Sequence, residues 1–256
     1  MSLHPFRARR ALARACMALA VMAAGSAAAA EFTLNPTRVH LDRARSIETL
    51  VLGNADTRPL SFEASVQQWA MAADGSWQLQ PSDDLVVHPL VFTVQPGEQA
   101  RLRVGTLEPE TATERAYRIE LQQLPGGGTD GVQVEVLTRL SVPVFVRPPA
   151  PTPATAATLE GASFGADGLR LTLANTGAHY LPPQEARLRL LDAAGRTLEE
   201  TPLAVGYVLA GAQLPLPVHP VPGQACARAA RVELHLPETD ATVVAPLPAS
   251  PRRCGG

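Results

Sequence analysis

The stretch "VQVEVLTRLSVPVFVRPP", residues 132–149, decides the fold class of this chain. Val132, Val134, Val136, Leu140, Val142, Val144 and Val146 recur at a period of two, interrupted only by Thr138. The positions between them are mixed. Period two with β-branched residues means a strand with one apolar face. At about 3.3 Å per residue the run would extend roughly 50 Å, where an ordinary strand has about five or six residues. A strand this long and one-sided either completes its own domain's core or leaves part of that face for another protein.

The preceding sequence is built the same way. Strand-like runs are "FTLNPTRVHL" (32–41), "IETLVLG" (47–53), "LSFEASVQQWAM" (60–71), "LVVHPLVFTV" (85–94), "QARLRVG" (99–105) and "RAYRIELQQL" (115–124). Between them lie "NADTRP", "AADGS", "QPGE" and "LPGGGTDG", which are turn and loop chemistry. Counting the run from 132, this is a β-sandwich pattern of immunoglobulin type. An antibody-type disulfide is excluded, because residues 32–146 contain no cysteine. "RPPAPTPATAAT" (147–158) predicts a stiff, extended linker. Further strands are expected at 168–177, 185–200 (with a turn at "DAAG"), 205–211, 212–218, 229–236 and 241–247. The expectation is an all-β chain of two immunoglobulin-like sandwiches, at 31–147 and 159–256, joined by a linker at 148–158. No long helix is predicted.

Residues 1–30 have the parts of a secretory signal. Arg7, Arg9, Arg10 and Arg14 form the basic segment, "ACMALAVMAAG" (15–25) the apolar one, and "SAAAA" a small-residue cleavage site ending at Ala30. Cys16 precedes the apolar run instead of following it, which is the wrong order for a lipoprotein. No later stretch reaches the roughly 18 apolar residues of a membrane span. Cleavage leaves Cys226 and Cys254. In an oxidising compartment they pair in one disulfide, unless Cys254, near the chain end, stays a free thiol.

Composition excludes several function classes. The formal net charge is −2, which gives no general attraction to nucleic acid or acidic lipid. All 22 basic residues are arginine, so any cationic contact is made by a guanidinium. The six histidines (His4, His40, His88, His179, His219 and His235) do not pair with each other or with cysteine at metal-ligand spacing. There is no nucleophile elbow and no H-E-x-x-H. "PGGGTDG" precedes a strand instead of a helix, so it lacks the helix N-terminus that binds phosphate. Asp83 and Asp84 point opposite ways on an extended chain. No enzyme activity, metal or cofactor is expected.

Seven motifs in order then resemble one family. "NPTRVHLD" (35–42), "LVLGNADTRPLSFEASVQQW" (50–69), "VHPLVFTVQPGEQARLRV" (87–104), "ERAYRIELQQLP" (114–125) and "VPVFVRP" (142–148) are similar to the PapD-like periplasmic chaperones of the chaperone–usher pilus pathway. "NTGAHYLP" (175–182) with "GYVLAG" (206–211) resembles their archaic or spore-coat-type branch. The resemblance implies two immunoglobulin-like domains in a boomerang. It implies a periplasmic location, pilin subunits and an outer-membrane usher as partners, and strand lending to an incomplete pilin sandwich. "VQVEVLTRL" is then the lent strand, with Val132, Val134, Val136 and Leu140 as its donor side chains. Unbound, such valines invite self-association. The family anchors the subunit's terminal carboxylate with two cations. Arg38 matches the first. The second is a lysine whose gapless counterpart here is Pro143; Arg139 is the nearest cation on that strand, with Arg103 and Arg118 as substitutes. The rival expectation is a secreted sandwich adhesin that binds carbohydrate, for which Trp69, Trp77 and Tyr180 would be the stacking aromatics.

Overall fold

In the computed structural model, "FTLNPTRVHL" forms two strands that belong to opposite sheets. The structure describes residues 32–109, 111–126, 136–148, 156–165, 168–219, 221–248 and 254, so the expected signal segment lies outside it. β1 (Phe32–Asn35) and β2 (Val39–Leu41) flank Pro36; β6 (Leu85–His88) and β7 (Val91–Val94) likewise flank Pro89 within "LVVHPLVFTV". A proline has no N–H for the ladder and restricts the residue before it, so each run breaks there and its second half crosses to the other layer.

One layer of the N-terminal sandwich has strand order β1, β3 (Ile47–Asn54), β8 (Gln99–Thr106), β6. The other runs β2, β10 (Arg139–Val146), β9 (Arg115–Gln123), β4 (Leu60–Met71), β5 (Trp77–Pro81), with β7 also on β4. Leu50, Leu52, Leu102, Val104, Tyr117, Ile119, Val142 and Val144 are among the buried residues between them. β5 alternates Trp77 and Leu79 with Gln78 and Gln80, but every residue of it is exposed; it was not among the expected strands and lies at the sheet edge, paired with β4.

The stretch 132–149 is not one continuous strand. β10 begins at Arg139, and Val136–Thr138 are outside any strand. Val132 and Val134 lie outside the described residues. The face read as mixed is also covered at its far end, where Pro143 and Phe145 are buried as fully as Val142, Val144 and Val146. β2 pairs in parallel with β10 only from Val144 to Val146. The edge from Arg139 to Pro143 therefore has no strand on that side among the described residues.

The second sandwich stacks β11 (Ala157–Gly165), β12 (Gly168–Asn175) and β15 (Gln213–Val218) on a sheet of order β14 (Thr197–Val205), β13 (Gln184–Leu191), β16 (Arg231–Leu236), β17 (Ala241–Pro246). Two expectations are corrected here. β11 starts inside the interval read as linker. Val205 ends β14, and residues 206–211 hold a single bridge, Val208 to Leu181, instead of a strand. A short helix, α1 (Gly223–Arg228), precedes β16. Cys226 on α1 and Cys254 form a disulfide, with Cα atoms 5.7 Å apart.

The two sandwiches share one turn device. After β3, the Asn54 amide donates to the carbonyls of Arg58 and Val94 at 2.7 and 2.9 Å. After β12, the Asn175 amide donates to those of His179 and Val208 at 2.8 and 2.9 Å. Each buried side chain replaces ladder partners that the turn lacks. The second turn positions Tyr180, which reaches the other domain.

Candidate functional site

Strand alternation puts one set of β2, β9, β10, β4 and β5 side chains on the outer face of the second N-terminal sheet. His40 is opposite Phe145, Arg118 opposite both Pro143 and Gln67, and Trp69 opposite Leu79. Tyr180, Tyr207 and Leu209 of the second sandwich close over part of this face. With Trp69, Ala116 and Phe145 they form an apolar cluster between the domains. The Phe145 and Tyr180 rings stack at 3.8 Å.

Two guanidiniums stand in this aromatic cleft. Arg38, just before β2, donates from Nη1 to the Tyr180 hydroxyl at 2.9 Å and lies 5.5 Å from both the Tyr180 and Tyr207 ring centres. Arg118 lies 4.4 Å from the Trp69 ring centre, 4.2 Å from that of Trp77 and 6.0 Å from that of Tyr207. The two cations thus flank one tyrosine ring. Arg118 is only 6 % exposed and makes no ion pair among the described residues. The Nε atoms of both arginines are buried without a hydrogen-bond partner. Burial pushes the Arg118 guanidinium's pKa down, against a pull from Tyr207 and Glu120. An unpaired buried cation is costly. Its aromatic neighbours recover part of that cost, and an anionic ligand would recover more.

Residues 31–152 match the family of pili and flagellar-assembly chaperones, PapD N-terminal domain. No curated protein matches the chain by sequence. Residues 31–152 form a PapD-like N-terminal domain. The fold of the chain is similar to that of the CsuC–CsuE chaperone–tip subunit pre-assembly complex from archaic chaperone–usher Csu pili of Acinetobacter baumannii, at 16 % identity and TM-score 0.56, covering 85 % of this chain and 98 % of that one. It is also similar to the Salmonella enterica SafA pilin–SafB chaperone complex, at 19 % identity and TM-score 0.55, covering 82 % and 90 %. The third is the E. coli chaperone DraB, at 19 % identity and TM-score 0.53, covering 86 % and 97 %. At these identities the likeness carries the fold.

The cleft includes one of the two cations singled out as anchors, Arg38. Arg139 is not there. Its side chain is 67 % exposed, donates to Gln122 Oε1 at 2.7 Å and sits 3.7 Å from Glu120 Oε2. Four residues along a strand separate it from Pro143 by about 13 Å. Arg118, directly across the ladder from Pro143, occupies the neighbourhood that Arg139 was expected to fill. Arg103 lies on β8, in the other sheet. Of the donor residues, Val136 is 75 % exposed, while Leu140 is partly buried and packs against this domain's own core. Trp69 and Tyr180 are buried at the domain junction and unavailable for sugar stacking. Among the described residues, no group of three His, Cys, Asp or Glu side chains is placed to hold a metal ion. Nor is any helix long and apolar enough to cross a membrane.

Sequence reasoning missed Tyr207, the role of Trp77, and Glu114. The Glu114 carboxylate accepts the Tyr180 N–H at 2.8 Å and lies 3.4 Å from Arg147 Nε. Its own N–H donates to the Ala178 carbonyl at 3.0 Å, so this residue ties the domains twice. Burial pushes the Glu114 carboxyl up from 4.5 to about 7, despite the Tyr180 N–H and Arg147. Between those values the folded chain binds more protons than the unfolded one, so this group's contribution to stability falls as pH rises. His40 has the opposite slope: burial, then Arg147, Arg38 and His179, push it from 6.5 down to about 4, so its contribution rises with pH. Comparison with Glu114→Gln separates the two. From about pH 5 to about 7.5, wild type is expected to lose on the order of 1–3 kcal/mol relative to the variant. Urea midpoints that move in parallel for both proteins would rule this out.

Proposed function

We propose that this PapD-like chaperone works in the periplasm. It caps pilin subunits by donor-strand complementation and holds their C-terminal carboxylate between Arg38 and Arg118. It then delivers them to an outer-membrane usher. The observation that carries the reading is the buried, uncompensated Arg118 beside Arg38, on the same sheet as the unpaired edge of β10. A subunit strand added at that edge satisfies its N–H and C=O groups, and the subunit's terminal carboxylate supplies the missing counter-charge. Exposed Val136 and Leu137, just before the edge, offer apolar side chains to an unfinished pilin core. The solved complexes of similar fold pair a chaperone with a pilin or a tip subunit, which agrees with this class of partner.

The test is affinity capture from periplasmic extract of cells expressing the tagged chain, followed by glycan-array binding of the same protein. The expected result is one pilin-sized subunit in a stoichiometric complex and no glycan signal. Glycan binding without a captured subunit would favour the adhesin alternative instead.

A further inference from the structure

The second cleft cation is held in an unusual way. The Trp69 and Trp77 ring centres are 4.8 Å apart with their planes at 61°, and the Arg118 guanidinium carbon lies 4.4 and 4.2 Å from them. The group is wedged into the V between two indoles. Trp69 is part of the domain junction, but Trp77 is 48 % exposed and contributes little to any core. Rings against a guanidinium satisfy its π faces and leave its in-plane N–H donors for a polar partner. Those donors include an Nε that is buried and unpartnered.

The hairpin carrying Trp77 is fixed by the other domain. In its turn, Asp74 Oδ1 accepts the Ser76 N–H at 2.9 Å. Gly75 has φ +82°, and a Cβ there would lie 2.8 Å from Leu214 Cδ1 and 3.2 Å from Pro215 Cδ, both on β15. In the ladder pair that closes the turn, Met71 is paired with Trp77, and the Met71 sulfur accepts the Leu209 N–H at 3.4 Å. The turn and the ladder pair beside it both touch the C-terminal domain.

We infer that Trp77 is a positioning residue for carboxylate capture: with Trp69 it orients Arg118, and the C-terminal domain sets Trp77 through the β4–β5 hairpin. This rests on the reading of Arg118 as a carboxylate anchor. A lysine at that position would have neither a planar face to stack nor a fork to present. In this chain the anchor comes from β9 and takes its orientation from β5.

The probe is acetate, with acetamide as the neutral control, added to the intact chaperone. Binding is read from the Arg118 Nε–Hε cross-peak in a nitrogen–proton NMR spectrum, assigned by its loss in Arg118→Lys. Wild type should show a saturable shift with acetate and none with acetamide. Trp77→Ala should weaken acetate binding about five- to twenty-fold at an unchanged melting temperature, and Trp77→Phe should recover part of it. Gly75→Ala, which pushes the hairpin against Leu214, should weaken it in the same direction. If wild type shows no acetate shift, Arg118 is not a carboxylate anchor and both readings fall. If wild type shows the shift and Trp77→Ala binds acetate equally well, the anchor stands and the positioning role is overturned. Should Trp77→Ala melt early, the Gly75→Ala titration decides the same question with both indoles present.

Discussion

Val144→Asp is expected to unfold the N-terminal domain, whereas Val136→Asp should leave its melting temperature nearly unchanged and abolish pilin capture. Val144 is fully buried, opposite Tyr117 on β9 and Val39 on β2. An unpaired carboxylate there costs several kcal/mol even after relaxation, against a total stability of about 5–15 kcal/mol. Val136, eight residues earlier and of the same parity, is 75 % exposed. In the free chaperone a charge at that site stays in water. In the complex the same charge would enter the subunit's groove, so the penalty appears only on binding. Thermal melts of the two purified variants, with co-purification of the subunit, separate the cases. Equal destabilisation by both, with capture retained by Val136→Asp, would mean that this segment serves only its own domain. Val132 and Val134, outside the described residues, belong to the same test if the lent strand extends back to them.

The second large effect is expected at the cleft cations. Arg38→Ala or Arg118→Ala should each weaken subunit capture by roughly 2–5 kcal/mol, the scale for truncating one partner of a buried charge pair. The free protein should respond differently. Removing Arg118 deletes a buried cation that has no counter-ion among the described residues, so stability should be kept or slightly gained, unlike the usual loss on breaking a buried pair. Arg139→Ala is the control. Its exposed contacts with Gln122 and Glu120 contribute at most about 1 kcal/mol, and capture should be unaffected. Isothermal titration of the three variants with the captured subunit checks this. Wild-type affinity in Arg118→Ala would remove that residue from the site, and a large loss in Arg139→Ala would restore the cation on β10.

The sandwich architecture was legible in the sequence alone because its cause is local. Period-two burial, prolines and glycine-rich turns act over a few residues, and they mark strands at 47–53, 99–105 and 115–124 without reference to any partner. Arg38 was legible for a related reason: it sits in a short contiguous motif. Tertiary structure decided the rest of the site. Alternation says which residues share a face of one strand, but not which strand lies beside it. Only the β9–β10 register brings Arg118 opposite Pro143, where the motif expected a cation and the sequence offers a proline. β5 is only five residues long and none of them is buried, so Trp77 acquires a role only through pairing with β4. Phe145 lies on the mixed face of its strand, and only the second domain's covering of that face explains an aromatic there. Arg38 and Tyr180 meet across 142 positions, a separation at which chain periodicity carries no information and packing alone chooses the partner.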